Sequence, residues 1–384
     1  MRKICFVTGS RADYSSLYPV MKLALNSKKL KFQLIATCMH LSPKFGNTYK
    51  EIQNDGFKID AKIKVPINSD HPKIISQATG RVMIGLSNAY NRLKPDIVVL
   101  LGDRFEAFAA AFAAASAKIP IAHIYGGETT AGALDECIRH SITKMSSFHF
   151  VTTEVYKKRV TQLGENPATI HTVGAIAIER IKKIKLFSKK NIEQKLNFKF
   201  DKTNIVITYH PVTLNKKSAS NEIKEILGAL NKLPNTKKIF TMSNADSGND
   251  IIYKMIKKFS KDKKNNSVFF KSLGQKMYFS VMKNCNLVLG NSSSGIIEAP
   301  SLKVPSIDIG DRQKGRTRSK TVITCKAEKK EILKAMRKGL SKNFIKASLS
   351  NKNPYEKNNT SKNILDTLTS SKLKNILKKI FYDY

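Results

Sequence analysis

The chain has 384 residues, 41% hydrophobic and 25% charged, enough for one large or two medium globular domains and too apolar for a disordered chain. Its net charge of +39 comes from 31 basic against 15 acidic side chains over residues 1–200 and 37 against 14 beyond, mostly lysine, so it is a diffuse field. No aromatic-interleaved basic patch for stacking on bases stands out, which turns the reading away from nucleic acid and toward phosphorylated small molecules.

The longest apolar stretch, Ala107 to Ala117, is far below the roughly 18 residues of a membrane span, and the N-terminus lacks a secretory apolar region of roughly 7 to 15 residues. A cytoplasmic protein is expected, with no membrane partner. Cys5, Cys38, Cys137, Cys285 and Cys325 form no C-x-x-C pair and read as small hydrophobes in a reducing compartment.

Strand-like apolar runs fall at Ile4–Thr8, Phe32–Thr37, Ile97–Leu101, Ile119–Ile124, Phe148–Thr152 and Ile170–Val173, with helical stretches such as Leu17–Leu25 and Phe105–Ala117 between them. Runs without strict alternation suit parallel strands buried on both faces, so this part reads as a doubly wound α/β domain. Lysine-rich Ile181–Lys202 reads as a linker. A second set follows at Ile205–Tyr209, Lys238–Met242, Val268–Phe270, Leu287–Leu289 and Val304–Ile307, and Ser361–Tyr384 is an amphipathic helix candidate. The expected domains are 1–180, a linker at 181–203, 204–360, and a helix over 361–384.

Open α/β domains bind ligands in the loops after their strands. The first such loop, Gly9-Ser10-Arg11-Ala12-Asp13-Tyr14-Ser15, lacks the dinucleotide fingerprint but offers a tight turn and an arginine for an anion. Gly102-Asp103-Arg104 and Tyr125-Gly126-Gly127-Glu128, with Asp135, Glu136, Arg139 and His140 close behind, gather carboxylates at neighbouring strand ends. Asp103 and Asp135 can equally be helix N-caps. His210 follows a strand and precedes proline. Gly290-Asn291-Ser292-Ser293-Ser294-Gly295 leads into a helix carrying Glu298, an arrangement of free N–H groups, hydroxyls and helix dipole suited to a diphosphate, with Glu298 able to reach ribose hydroxyls. Gly310-Asp311-Arg312-Gln313-Lys314-Gly315-Arg316 adds a basic loop able to clamp phosphate.

These motifs, in this order, together with Ile138-Arg139-His140-Ser141-Ile142-Thr143-Lys144, resemble the hydrolysing UDP-N-acetylglucosamine 2-epimerases of sialic and related nonulosonic acid biosynthesis. The resemblance spans residues 1–340 and implies a GT-B-like fold, two Rossmann-like doubly wound domains facing a central cleft, with the C-terminal helix crossing back to the first. Carried over by position, nucleotide contacts fall on Arg11, Ser15, Arg104, Gly174, Asn244, Ser292, Ser293, Glu298 and Arg312. The catalytic set is Asp103, Glu128, Asp135 and His210, with Glu136 beside it. Many relatives carry glutamate where this chain has Tyr125. The C2 base is then expected among Asp103, Asp135 and Glu128, with Tyr125 shaping the sugar pocket or donating a hydrogen bond to the sugar.

The implied reaction expels UDP with loss of the C2 proton and rehydrates the glycal, giving N-acetylmannosamine or a 2,4-diacetamido-trideoxy analogue. No metal or redox cofactor is implied, and a homodimer or homotetramer is expected. The rivals are a GT-B glycosyltransferase using a UDP-sugar, a non-catalytic sugar-nucleotide binder, and a nucleic-acid binder suggested by charge alone.

Overall fold

The computed structural model describes residues 1–67, 71–131, 133–211, 216–242 and 249–383. They form two compact units, one of Met1–Glu128, Asp135–Glu179 and Lys357–Tyr384, the other of Thr129–Leu134 and Arg180–Glu356. Each is a parallel sheet with helices on both faces, so the fold is α/β of the GT-B-like class.

The first unit holds β1 (Arg2–Thr8), β2 (Leu30–Thr37), β3 (Ala61–Ile63), β4 (Ile97–Leu101), β5 (Ile121–Ile124), β6 (Phe148–Val151) and β7 (Ile170–Thr172), in the order β3-β2-β1-β4-β5-β6-β7. The second holds β8 (Thr203–Thr208), β9 (Thr236–Thr241), β10 (Ser267–Phe270), β11 (Leu287–Gly290), β12 (Ser306–Ile309) and β13 (Val322–Cys325), in the order β10-β9-β8-β11-β12-β13. In each, the strand order reverses beside the first strand, between β1 and β4 and between β8 and β11. The loops leaving those four strands open at the switch point where doubly wound sheets bind ligands.

The apolar runs are continuous because successive residues feed opposite cores. Ile4 and Phe6 of β1 join one cluster with Val99 and Ile124, while Cys5 and Val7 join another with Val98 and Leu100. In the second unit Ile205 and Ile207 face one core and Val206 the other. Edge strands β3 and β13 were not expected from the sequence. Each is only three or four residues, is partly exposed, and is defined by pairing with β2 or β12.

Two segments differ from the expected division. The lysine-rich stretch after Arg180 contains a helix, Lys189–Leu196, capped by Ser188 and anchored by buried Ile192. At the C-terminus the helix covers Thr360–Ser370 and stops at Ser371, whose backbone is extended. Ile364 and Leu368 bury into the first unit's core beside Leu17, Val20 and Met21 of helix Arg11–Leu25.

Beyond that helix, Lys379 Nζ donates to the carbonyls of Lys144 and Ser146, each at 2.7 Å, placing a cation at the end of helix Asp135–Met145. It also pairs with buried Glu165 at 2.7 Å, and Tyr382 N–H donates to Gly164 O at 3.0 Å. Burial works against the Glu165 carboxylate, yet His149, Lys144 and Lys379 together hold its pKa down at about 2.

Candidate active site

In the first unit, the turn after β1 is closed by Asp13, which accepts from the backbone N–H groups of Gly9 and Ser10, both at 2.8 Å, while Ser10 caps helix Arg11–Leu25 in a reciprocal box. Arg11 opens that helix and pairs with Glu51 at 3.3 Å, and Ser15 lies one turn further on. Gly9 is glycine because Glu106 lies against it: a Cβ there would stand 2.5 Å from the Glu106 Cγ. Glu106 is buried and accepts from Arg104 Nε at 2.6 Å, fixing the arginine that follows Asp103. Buried His40, its pKa lowered by desolvation, bridges Thr8 and Thr48 at 2.9 and 2.7 Å beneath the same turn.

Two of the carboxylates are organised by one buried arginine. Arg139, on helix Asp135–Met145, pairs through Nη2 with Asp103 and through Nη1 with Glu136 at 3.4 Å, and Glu136 meets His140 at 3.3 Å. The expected crowd of like charges is therefore neutralised in part from within. Asp103 is no helix cap, since Arg104 occupies the N-cap position of helix Phe105–Ser116. Asp135 is the first residue of its helix, one position ahead of Glu136.

Glu128, also buried, accepts from Thr152 Oγ1 at 3.0 Å. Gly127 must be glycine: its φ is +75°, and a Cβ would stand 2.7 Å from the Tyr156 carbonyl. Behind Gly126, His123 Nε2 donates to Gly102 O at 2.7 Å. Burial drives its pKa down to about 3 despite that bond.

Tyr125 adopts a left-handed backbone, φ +70°, and packs against the core. Its hydroxyl accepts the backbone N–H of Ile176 at 2.9 Å, the first residue of helix Ile176–Lys183. Gly174, with φ +84°, lies where the returning chain crosses, a Cβ there being 2.7 Å from the Lys357 Cβ.

In the second unit, Asn291 binds both backbone groups of His210, accepting from its N–H at 2.7 Å and donating to its carbonyl at 2.8 Å. This side chain locks the end of β8 to the end of β11. Asn291 O in turn accepts from Arg312 Nη1 at 3.2 Å and Gln313 Nε2 at 2.9 Å, so the basic loop is tied to the same point.

Ser292 and Tyr278 share Ser294, at 3.0 and 2.8 Å, and Ser293 is the N-cap of helix Ser294–Ser301, on which Glu298 follows one turn in. The irreplaceable glycine of this loop is Gly290: its φ is +138°, and a Cβ would lie 1.9 Å from the Thr208 carbonyl. Gly295, singled out with the loop in the sequence, has only ordinary contacts, 3.7 Å to the Ser306 Cβ. Asn244 and the Val212-Thr213 part of the histidine motif lie outside the described residues.

The sequence places Arg139 among the strand-end residues without giving it a partner, and gives no role to Glu106, Asp308 or Arg318. Only Arg139 carried a signal, its helical spacing of three from Glu136.

Against known proteins, the family described as UDP-N-acetylglucosamine 2-epimerase matches residues 23–369. The GDP/UDP-N,N'-diacetylbacillosamine 2-epimerase (hydrolyzing) of Campylobacter jejuni is 42% identical over 89% of this chain and 88% of its own. The polysialic acid biosynthesis protein P7 of Escherichia coli is 39% identical over 100% of this chain and 98% of its own. Among solved structures, the UDP-GlcNAc 2-epimerase from Neisseria meningitidis bound to UDP-GlcNAc superimposes with a TM-score of 0.81 at 21% identity, covering 96% of this chain and all of that one. The chain belongs to the UDP-N-acetylglucosamine 2-epimerase family.

Proposed function

We propose that this enzyme is a hydrolysing 2-epimerase whose substrate is UDP-N,N'-diacetylbacillosamine, a 2,4-diacetamido-trideoxy sugar, with UDP-N-acetylglucosamine the second candidate. The relatives that carry the diacetylbacillosamine name are 42% and 35% identical to it, and one named for UDP-N-acetylglucosamine is 31% identical. The observation that carries the reaction type is the acid cluster of the first unit, where buried Arg139 pairs with Asp103 and Glu136, and buried Glu128 accepts from Thr152.

In the first step a carboxylate removes the C2 proton and the C1–O bond breaks, its electrons leaving on the diphosphate. Charge developing on that leaving group is met by the Ser292 and Ser293 loop, His210 and Arg312, with Arg11 and Arg104 as further cations and Glu298 on the ribose. Water then adds to C1 of the glycal while a protonated acid returns a proton to C2 on the opposite face, releasing the free 2-epimer. Asp103, Glu128 and Asp135 share these two proton transfers. Arg139 orients Asp103 for its part, and the Tyr125 hydroxyl serves a helix start.

We place the reaction in the cytoplasm, in keeping with five free cysteines of which burial pushes Cys5, Cys38 and Cys285 far above the usual thiol range, and we expect a homo-oligomer. Among the described residues no helix is long and apolar enough to cross a membrane. The test is incubation with each sugar nucleotide in deuterated water, followed by NMR. Release of UDP with water alone, together with one deuterium at C2 of a manno-configured product, is expected. UDP release only when a sugar acceptor is added would establish a glycosyltransferase instead.

A further inference from the structure

The basic loop after β12 carries Arg312, Lys314, Arg316 and Arg318, four like charges on one short turn against the single acid Asp311. A loop of that kind keeps a single shape only when something neutralises and ties it. The tie begins at Asp308, the third residue of β12, 4% exposed in a strand otherwise made of small and apolar residues. Arg318 Nη2 donates to Asp308 Oδ2 at 2.8 Å and its Nε reaches the same oxygen at 3.3 Å. The remaining donors turn onto the loop's own backbone, to Gln313 O at 2.8 Å and Arg316 O at 3.3 Å. Gln313, fully buried, then donates to Asn291 O, the carbonyl that also receives Arg312. The Arg318 guanidinium thus ties the loop to β12, while Thr129 and Thr130 hold its other side through Lys314 O and Arg316.

We infer that Arg318, seated on Asp308, is a positioning residue that fixes the loop 310–316 and thereby sets Arg312 for the nucleotide diphosphate. This rests on the reading that the second unit binds the diphosphate of UDP. Burial outweighs the pull of Arg318, Arg316 and Arg312 and holds the Asp308 pKa above the usual carboxylate value, while the Arg318 fork still sits on its Oδ2. When the diphosphate arrives, Arg312 meets it from a loop already in shape, and the ordering cost is not taken from binding.

The experiment is a double-mutant cycle on UDP affinity, measured calorimetrically on the full-length protein. Arg318→Lys keeps the charge and loses the fork. It is expected to weaken UDP binding about tenfold, the scale of a lost charged hydrogen bond, and to raise KM by more than it lowers kcat. In an Arg312→Gln background the same change should cost less than about twofold, because Arg318 acts through Arg312 and its loop. Penalties that simply multiply would show that Arg318 meets the ligand itself and overturn the proposal. So would a folded Arg318→Lys variant that binds UDP as wild type does. If Arg318→Lys fails to fold, Gln313→Leu, which cuts the loop from Asn291 O, takes its place with the same expected cycle. Wild-type protein that does not bind UDP at all would instead refute the diphosphate reading on which the inference stands.

Discussion

Arg139, only 2% exposed, holds the carboxylate of Asp103 from a helix that starts 32 residues further along the chain. A buried arginine shared between Asp103 and Glu136 fixes where two acids point, so its removal should hurt chemistry and stability together. Arg139→Met should cost about 3 kcal/mol in urea unfolding, because it leaves partly buried carboxylates without their counter-charge. Arg139→Lys keeps that charge and should fold nearly as wild type, yet lose turnover at least about tenfold because the planar fork is gone. Steady-state kinetics beside denaturation curves separate the two, and a fully active lysine variant would assign Arg139 to packing alone.

The acids divide from the tyrosine in the same kind of assay. Asp103→Asn, Glu128→Gln and Asp135→Asn should each lower kcat by about a hundredfold or more, the scale of a lost acid–base partner, with UDP affinity retained. Tyr125→Phe removes an acceptor from the Ile176 N–H and should cost about 1 kcal/mol of stability while keeping most of the activity. Deuterium incorporation at C2 is the readout. If Tyr125→Phe abolishes it while Glu128→Gln preserves it, the phenol takes part in proton transfer.

Gly290 and Gly295 flank the same loop and should respond oppositely. Gly290→Ala drives a Cβ into the Thr208 carbonyl, and the β8–β11 pairing or the loop must give way, so UDP binding and thermal stability should both collapse. Gly295→Ala sits in the first turn of a helix with room around it and should be neutral or stabilising by about 0.5 kcal/mol. Thermal melts of the two alanine variants decide this.

His123 makes stability depend on acid. In the unfolded chain its imidazole takes up a proton near pH 6.5, and in the folded protein only near pH 3. The unfolded state therefore binds more protons between those values, and stability contributed above pH 6.5 is lost as the pH falls, by up to about 1.4 kcal/mol per unit from this one group. His123→Gln can still donate to Gly102 O and should flatten that slope by one proton. Urea midpoints at several pH values measure it. An identical slope in the variant would exclude the histidine as its source.

The two sheets were legible because parallel strands buried on both faces leave uninterrupted runs such as Ile97–Leu101. The strand-to-helix turn at Gly290–Gly295 was legible because glycine, hydroxyl residues and a helix follow one another directly. Partnerships were not. Nothing local in Phe105–Ser116 announces that buried Glu106 packs on Gly9, and nothing in Ser306–Ile309 announces that Asp308 receives Arg318, since both pairings are made by the fold across loops. Gly290 differs from Gly295 through its positive φ and its alignment with Thr208, and the alignment is set by sheet register. Tyr125, expected to shape the sugar pocket or donate to the sugar, has a left-handed backbone and accepts the Ile176 N–H on its hydroxyl, a pairing across 51 residues that no local pattern announces.

The return of residues 357–384 to the first sheet bears on how the protein is made. Ile364 and Leu368 complete a core begun by Leu17 and Met21, and Lys379 ends the helix that Asp135 begins, so a ribosome that has released residues 1–179 has not yet released a finished first unit. At ~5–20 residues per second the missing piece emerges on the order of ten to forty seconds later. Through that interval the nascent first unit shows an open apolar face to the cell, while the second unit, contained almost wholly within residues 180–356, can complete itself first.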